Sequence, residues 1–66
     1  MTFEQRAAAL TYFSEHGWLV LDSPEDVSIV TAALPSTVRY RIVQISATDK
    51  DRPATRSFFF VERLDG

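Results

Sequence analysis

The spacing of apolar and polar residues divides the chain into a run of short elements. Phe3, Ala7, Leu10 and Phe13 recur at the interval of one helical face, with Ala8 and Ala9 beside them and Glu4, Thr11 and Glu15 on the polar side. Thr2 and Gln5 stand at the spacing of a capping box, which predicts a helix beginning at Phe3. Gly17 follows His16 where a left-handed helix stop is expected. Trp18-Leu19-Val20-Leu21 is a continuous apolar run ended by Asp22. A run of that kind predicts a short strand buried on both faces, in the centre of a sheet.

Ser23-Pro24-Glu25-Asp26 reads as a second helix start, with Ser23 as cap, Pro24 in the first turn, and carboxylates where the helix dipole favours them. Val27, Val30 and Leu34 then share a face, with Ile29 and Ala33 close by, until Pro35 ends the segment. The β-branched cluster keeps a strand over 24–34 open, although helix is favoured. Two strands are predicted in the second half, over 37–46 and 57–64. In the first, Val38, Tyr40 and Ile42 alternate onto one face and Val43 and Ile45 onto the other, a change of phase that a bulge would explain. In the second, Phe58 and Phe60 oppose Phe59 and Val61. The polar, proline-bearing stretch 47–56 reads as an exposed loop, longer than the usual hairpin connection.

The fold expected from these elements is a single α+β domain spanning 1–66, in the order α-β-α-β-β. Its antiparallel sheet has three strands, or four if 24–34 is extended, and packs against the first helix. Leu10, Phe13, Trp18, Leu19, Leu21, Ile42 and Phe60 are the expected core. Phe59, Val61, Val43 and Ile45 would then line the opposite face, covered by the second helix or left for a partner.

Length and composition narrow the possibilities further. A chain of 66 residues is near the lower limit for one core without cross-links. A stability of about 3 to 5 kcal/mol is reasonable at this size. Without cysteine there is no disulfide framework, thiolate zinc site or nucleophilic thiol. The N-terminus shows no signal peptide, and no apolar run approaches the ~20 residues that span a bilayer. A cytoplasmic protein without membrane association is therefore expected. Charge is uneven: residues 1–34 carry Arg6 against five carboxylates, for −4, while residues 35–66 carry six basic against four acidic side chains, for +2.

Catalytic chemistry finds few materials. His16 is the only histidine, so a metal centre would lack ligands of the usual spacing. Ser14 and Ser23 lie near it in sequence, but neither has a third group to orient a base, and Ser23 serves better as a cap. The carboxylate pairs Glu25-Asp26 and Asp49-x-Asp51 fit a helix start and a solvated loop. With Gly17 and Gly66 as the only glycines, no phosphate-cradling loop exists. Neither an enzyme activity nor a cofactor nor a small-molecule substrate is expected. Residues 3–27, through Tyr12-Phe13-Ser14-Glu15-His16-Gly17-Trp18 and Ser23-Pro24-Glu25-Asp26-Val27, resemble the N-terminal helix, strand and helix start of phytanoyl-CoA-dioxygenase-like enzymes. Those enzymes use a His-x-Asp and a distal His on a complete jelly roll. The chain has one His and no His-x-Asp, so the likeness transfers no activity or site residue.

Binding remains as the expected mode of action. Arg39, Tyr40, Arg41 and Arg63 interleave with the apolar strand residues, and Phe59 stands on the predicted outer strip. The leading expectation is a protein–protein contact through the C-terminal hairpin, with another protein or with a second copy, as in small accessory or inhibitory proteins of phages and mobile elements. A nucleic-acid surface built from Arg39, Arg41, Lys50, Arg52 and Arg56 is the alternative, with aromatics stacking single-stranded bases. A homodimeric structural protein is the third.

Overall fold

The computed structural model describes residues 1–48, 50–51 and 55–64. Its elements follow the order α1 (Phe3–His16), β1 (Trp18–Leu21), α2 (Pro24–Ala32), β2 (Tyr40–Thr48) and β3 (Thr55–Arg63). The strands form an antiparallel sheet in the order β1-β3-β2. The α-β-α-β-β arrangement of two helices and three strands is thus the one anticipated, with 24–32 helical and no fourth strand among the described residues.

Local chemistry sets the helix ends. The Thr2 hydroxyl accepts the Gln5 N–H at 3.1 Å, while the Gln5 side chain accepts the Thr2 N–H at 2.7 Å, so the capping box closes in both directions. Gly17 takes φ 79° and ends α1, donating its N–H to the Phe13 carbonyl. At α2 the Ser23 hydroxyl accepts the Asp26 N–H at 3.1 Å. This cap, with Pro24 in the first turn, outweighs the modest helix penalty of Val27, Ile29 and Val30.

Both helices lie on one side of the sheet. Phe13 of α1 and Val27 and Val30 of α2 bury against Leu19 and Leu21 of β1 and Val61 of β3, with Ala9, Leu10, Leu34, Val38 and Phe59 packed around them. The register places Leu19 opposite Val61 and Leu21 opposite Phe59, and paired residues of an antiparallel ladder point to the same face. Val61 on the central strand is 0% exposed and anchors this side.

Several expectations are corrected by this arrangement. β1 is an edge strand, and its run alternates between exposed Trp18 and Val20 and buried Leu19 and Leu21. The centre belongs to β3, which pairs on both sides. Trp18 (38% exposed) and Ile42 (44% exposed) are not core, Leu10 and Phe60 are half-buried, and Phe3 is exposed. Phe3 falls off because the 14 residues of α1 run about 21 Å, whereas four-residue β1 offers only about 13 Å of sheet beneath them. The β2–β3 register is unbroken from Tyr40–Arg63 to Thr48–Thr55, so no bulge shifts the phase between Ile42 and Val43. β2 begins at Tyr40 instead of Thr37, because Val38 donates to the Pro35 carbonyl in a turn. The strands also reach further into the expected loop, β2 to Thr48 and β3 from Thr55; of that loop, 49 and 52–54 lie outside the described residues.

Among the described residues no helix packs on β2, whose nine residues are all exposed. The β2–β3 hairpin therefore overhangs the helical layer. A Cα radius of gyration of 13.1 Å records that overhang, against about 11 Å for a compact chain of this length.

Candidate interaction surface

The side of the sheet facing away from the helices is built by alternation and register alone. Leu19, Leu21, Phe59 and Val61 point toward the helices, so Trp18, Val20, Phe58, Phe60 and Glu62 point away. On β2 the pairs Val43–Phe60 and Ile45–Phe58 put Val43 and Ile45 on that same outer face. The apolar strip expected there therefore has a different membership: Phe58 and Phe60 accompany Val43 and Ile45, while Phe59 and Val61 lie on the helical side. The sequence allows both assignments because four consecutive apolar residues fill both faces of β3. Only pairing with Leu19 and Leu21 decides between them.

The result is a strip of six large apolar side chains, two from each strand: Trp18 and Val20, Phe58 and Phe60, Val43 and Ile45. Trp18, Val20, Val43 and Ile45 are exposed, and the two phenylalanines are half-buried. Trp18 stacks on Phe60 with ring centroids 6.0 Å apart, and Tyr12 of α1 meets the Trp18 edge at 5.2 Å. His16 stacks on Tyr12 at 4.0 Å, with Nδ1 3.1 Å from the Tyr12 carbonyl, an oxygen that can only accept. An aromatic chain thus runs from the helix around the edge strand onto the outer face.

Charged residues rim the strip. At one end Arg41 and Glu62 face each other across β2 and β3, with Arg41 Nε and Nη2 each 2.7 Å from Glu62 Oε2. At the other end Arg56 pairs with Ala47. An apolar centre with a polar margin is the usual anatomy of a protein interface.

The individual candidate residues separate by face. Arg41 and Arg56 share the outer face but stand about 20 Å apart along the strands. Tyr40, Phe59 and Arg63 lie on the helical side, with Tyr40 opposite Arg63 and Phe59 against the core. The Arg63 guanidinium covers Gly17, where a Cβ would approach Nη2 at 3.6 Å. Arg39 precedes β2 and Lys50 occupies the hairpin turn, both exposed; Arg52 lies outside the described residues. Among the described basic residues, Arg39, Arg41 and Arg63 stand toward one end of the hairpin and Lys50 and Arg56 toward the other. Trp18 and Phe60, both expected in the core, lie on this outer face beside Val20, and the signal that places them there is the strand register.

Among the described residues no three His, Asp or Glu side chains converge as a metal site would need, and no helix is long and apolar enough to cross a membrane. No protein-family model, curated protein or solved structure matches the chain. The likeness of residues 3–27 to the phytanoyl-CoA-dioxygenase-like enzymes accordingly carries no family assignment. Fold and surface together define a class: a small α+β protein whose sheet is covered by helices on one side and open on the other.

Proposed function

We propose that this chain is a non-enzymatic binding protein that engages another protein through the outer face of its sheet, with the C-terminal hairpin supplying most of the contact. The observation that carries this reading is the six-residue apolar strip left uncovered by both helices. Three strands at ~4.8 Å spacing and two outward residues on each give a contiguous apolar footprint of about 200 Å². Phe60 at its centre and Trp18 stacked on it from the edge strand are rigid aromatics, and Trp is among the residues that dominate binding energy at interfaces.

The nucleic-acid alternative draws less support from the same geometry. Arg41 is engaged by Glu62, and Arg56 lies at the far end of the face, so these two described arginines do not form one continuous track for a phosphate backbone.

The test begins with capture of proteins from the source organism's lysate on the immobilised chain, followed by calorimetry with the purified captured protein. Val20→Asp and Ile45→Asp place a carboxylate on either flank of the strip without touching the helical core. Each is expected to keep the native circular dichroism spectrum and to weaken binding at least tenfold. A partner that binds both folded variants as tightly as the parent chain contradicts the reading.

A further inference from the structure

The free edge of β2 invites a separate inference, because it concerns main-chain groups rather than the outer face. Leu64 donates its N–H to the Arg39 carbonyl at 2.9 Å, which extends the β2–β3 ladder and sets its phase. Hydrogen-bonded pairs alternate along an antiparallel ladder, so Arg41, Val43, Ile45 and Ala47 direct their main-chain groups at β3. Tyr40, Ile42, Gln44, Ser46 and Thr48 direct theirs outward, where neither strand nor helix meets them among the described residues. A nine-residue edge carrying apolar side chains has neither proline nor bulge to block pairing, and its one charged residue, Arg41, is drawn inward to Glu62 on β3. The other edge, β1, is only four residues long.

We propose that β2 pairs antiparallel with β2 of a second copy, about a two-fold axis through Gln44, to make one six-stranded sheet. The side-chain pattern selects this register. It uses all nine residues of β2 and sets Val43 opposite Ile45 of the second copy, and Ile45 opposite its Val43. It sets each Arg41 opposite Ala47, so the two arginines stand about 20 Å apart, beyond the screening length at physiological salt. On the helical side Gln44 faces Gln44, two amides that can exchange hydrogen bonds. Centring on Val43 instead sets Arg41 against Ile45 of the second copy, and centring on Ile42 sets it against Val43.

The scale suits a stable contact. The seam runs about 30 Å and forms about ten main-chain hydrogen bonds, the number typical of a whole protein interface. The chain exposes 5038 Å², whereas a 7.5 kDa monomer is expected to expose about 4,200 Å². That excess belongs to the whole chain, the overhanging hairpin with its β2 edge and the open outer face together. Pairing also places both apolar strips on the same side of the extended sheet, so the dimer offers a doubled outer face.

Size-exclusion chromatography with light scattering, over a concentration series into the high micromolar range, tests the proposal. The parent chain is expected to approach twice its 7.5 kDa mass. Gln44→Lys opposes two ammonium groups at the axis and is expected to raise the dimer dissociation constant at least tenfold, with an unchanged circular dichroism spectrum. Mixing Gln44→Lys with Gln44→Glu is expected to restore the doubled mass, because the unlike residues then face each other. Val20→Asp, which tests the outer face, is expected to leave the mass unchanged, so failure of either proposal is distinguishable. A parent chain that stays at 7.5 kDa throughout, or a Gln44→Lys chain that dimerises like the parent, overturns the inference.

Discussion

Removing the same two methyl groups from opposite faces of the sheet separates the covered side from the open one. Val61 sits on the central strand between Leu19 and Ile42 and is 0% exposed, whereas Val20 sits opposite Phe60 and is 49% exposed. Val61→Ala loses about 1.6 kcal/mol of transfer free energy at ~0.8 kcal/mol per methyl. A further ~1 kcal/mol follows from the cavity left among Phe13, Val30 and Leu19, for a total near 2.5 kcal/mol. Val20→Ala forfeits about half the transfer value, roughly 0.8 kcal/mol, and leaves no enclosed void. Urea unfolding followed by far-ultraviolet circular dichroism, with a slope of about 1 kcal/mol/M, should lower the midpoint by roughly 2.5 M for Val61→Ala and under 1 M for Val20→Ala. Against a total stability of about 3 to 5 kcal/mol, the first variant keeps about 0.5 to 2.5 kcal/mol and stays mostly folded in water. Equal losses, or a larger loss at Val20, would refute the assignment of the buried face.

Other expectations follow from single interactions. Gly17→Ala forces a Cβ into the left-handed region at φ 79°, where Arg63 is at ordinary contact distance, so the cost is about 1–2 kcal/mol of backbone strain, read as a lowered thermal midpoint. Ser23→Ala removes the 3.1 Å bond to the Asp26 N–H and should cost about 1 kcal/mol in the same assay, with Ser23→Asp restoring most of it. The Arg41 side chain is 61% exposed, so Arg41→Ala should cost less than about 1 kcal/mol despite its 2.7 Å bridge, and the difference should shrink in high salt.

The elements legible in the sequence are those written in local chemistry. Thr2 with Gln5, Gly17, and Ser23 with Pro24 mark helix ends within a few residues, and the structure places those ends as their chemistry requires. Neither the position of β3 at the sheet centre nor the identity of the covered face is local. Phe58-Phe59-Phe60-Val61 satisfies both faces equally, and Trp18-Leu19-Val20-Leu21 suits a central strand as well as an edge. These choices depend on where α1 and α2 land relative to β1, which joins them through Gly17 on one side and Asp22-Ser23 on the other. Once both helices fold onto one side, Leu19 and Leu21 select Val61 and Phe59 for the core, and Trp18, Val20 and Phe60 become surface. Phe3 shares the apolar helical face with Phe13 yet is exposed, since helical periodicity carries no information on how much sheet lies beneath.

The open outer face is the claim on which the binding proposal stands, and methyl-resolved nuclear magnetic resonance with an inert, soluble gadolinium chelate measures it directly. The chelate should broaden the methyl signals of Val20, Val43 and Ile45 strongly while sparing those of Leu19, Val30 and Val61. Comparable broadening of both sets, or protection of Val20 and Ile45 with exposure of Val61, would contradict the account.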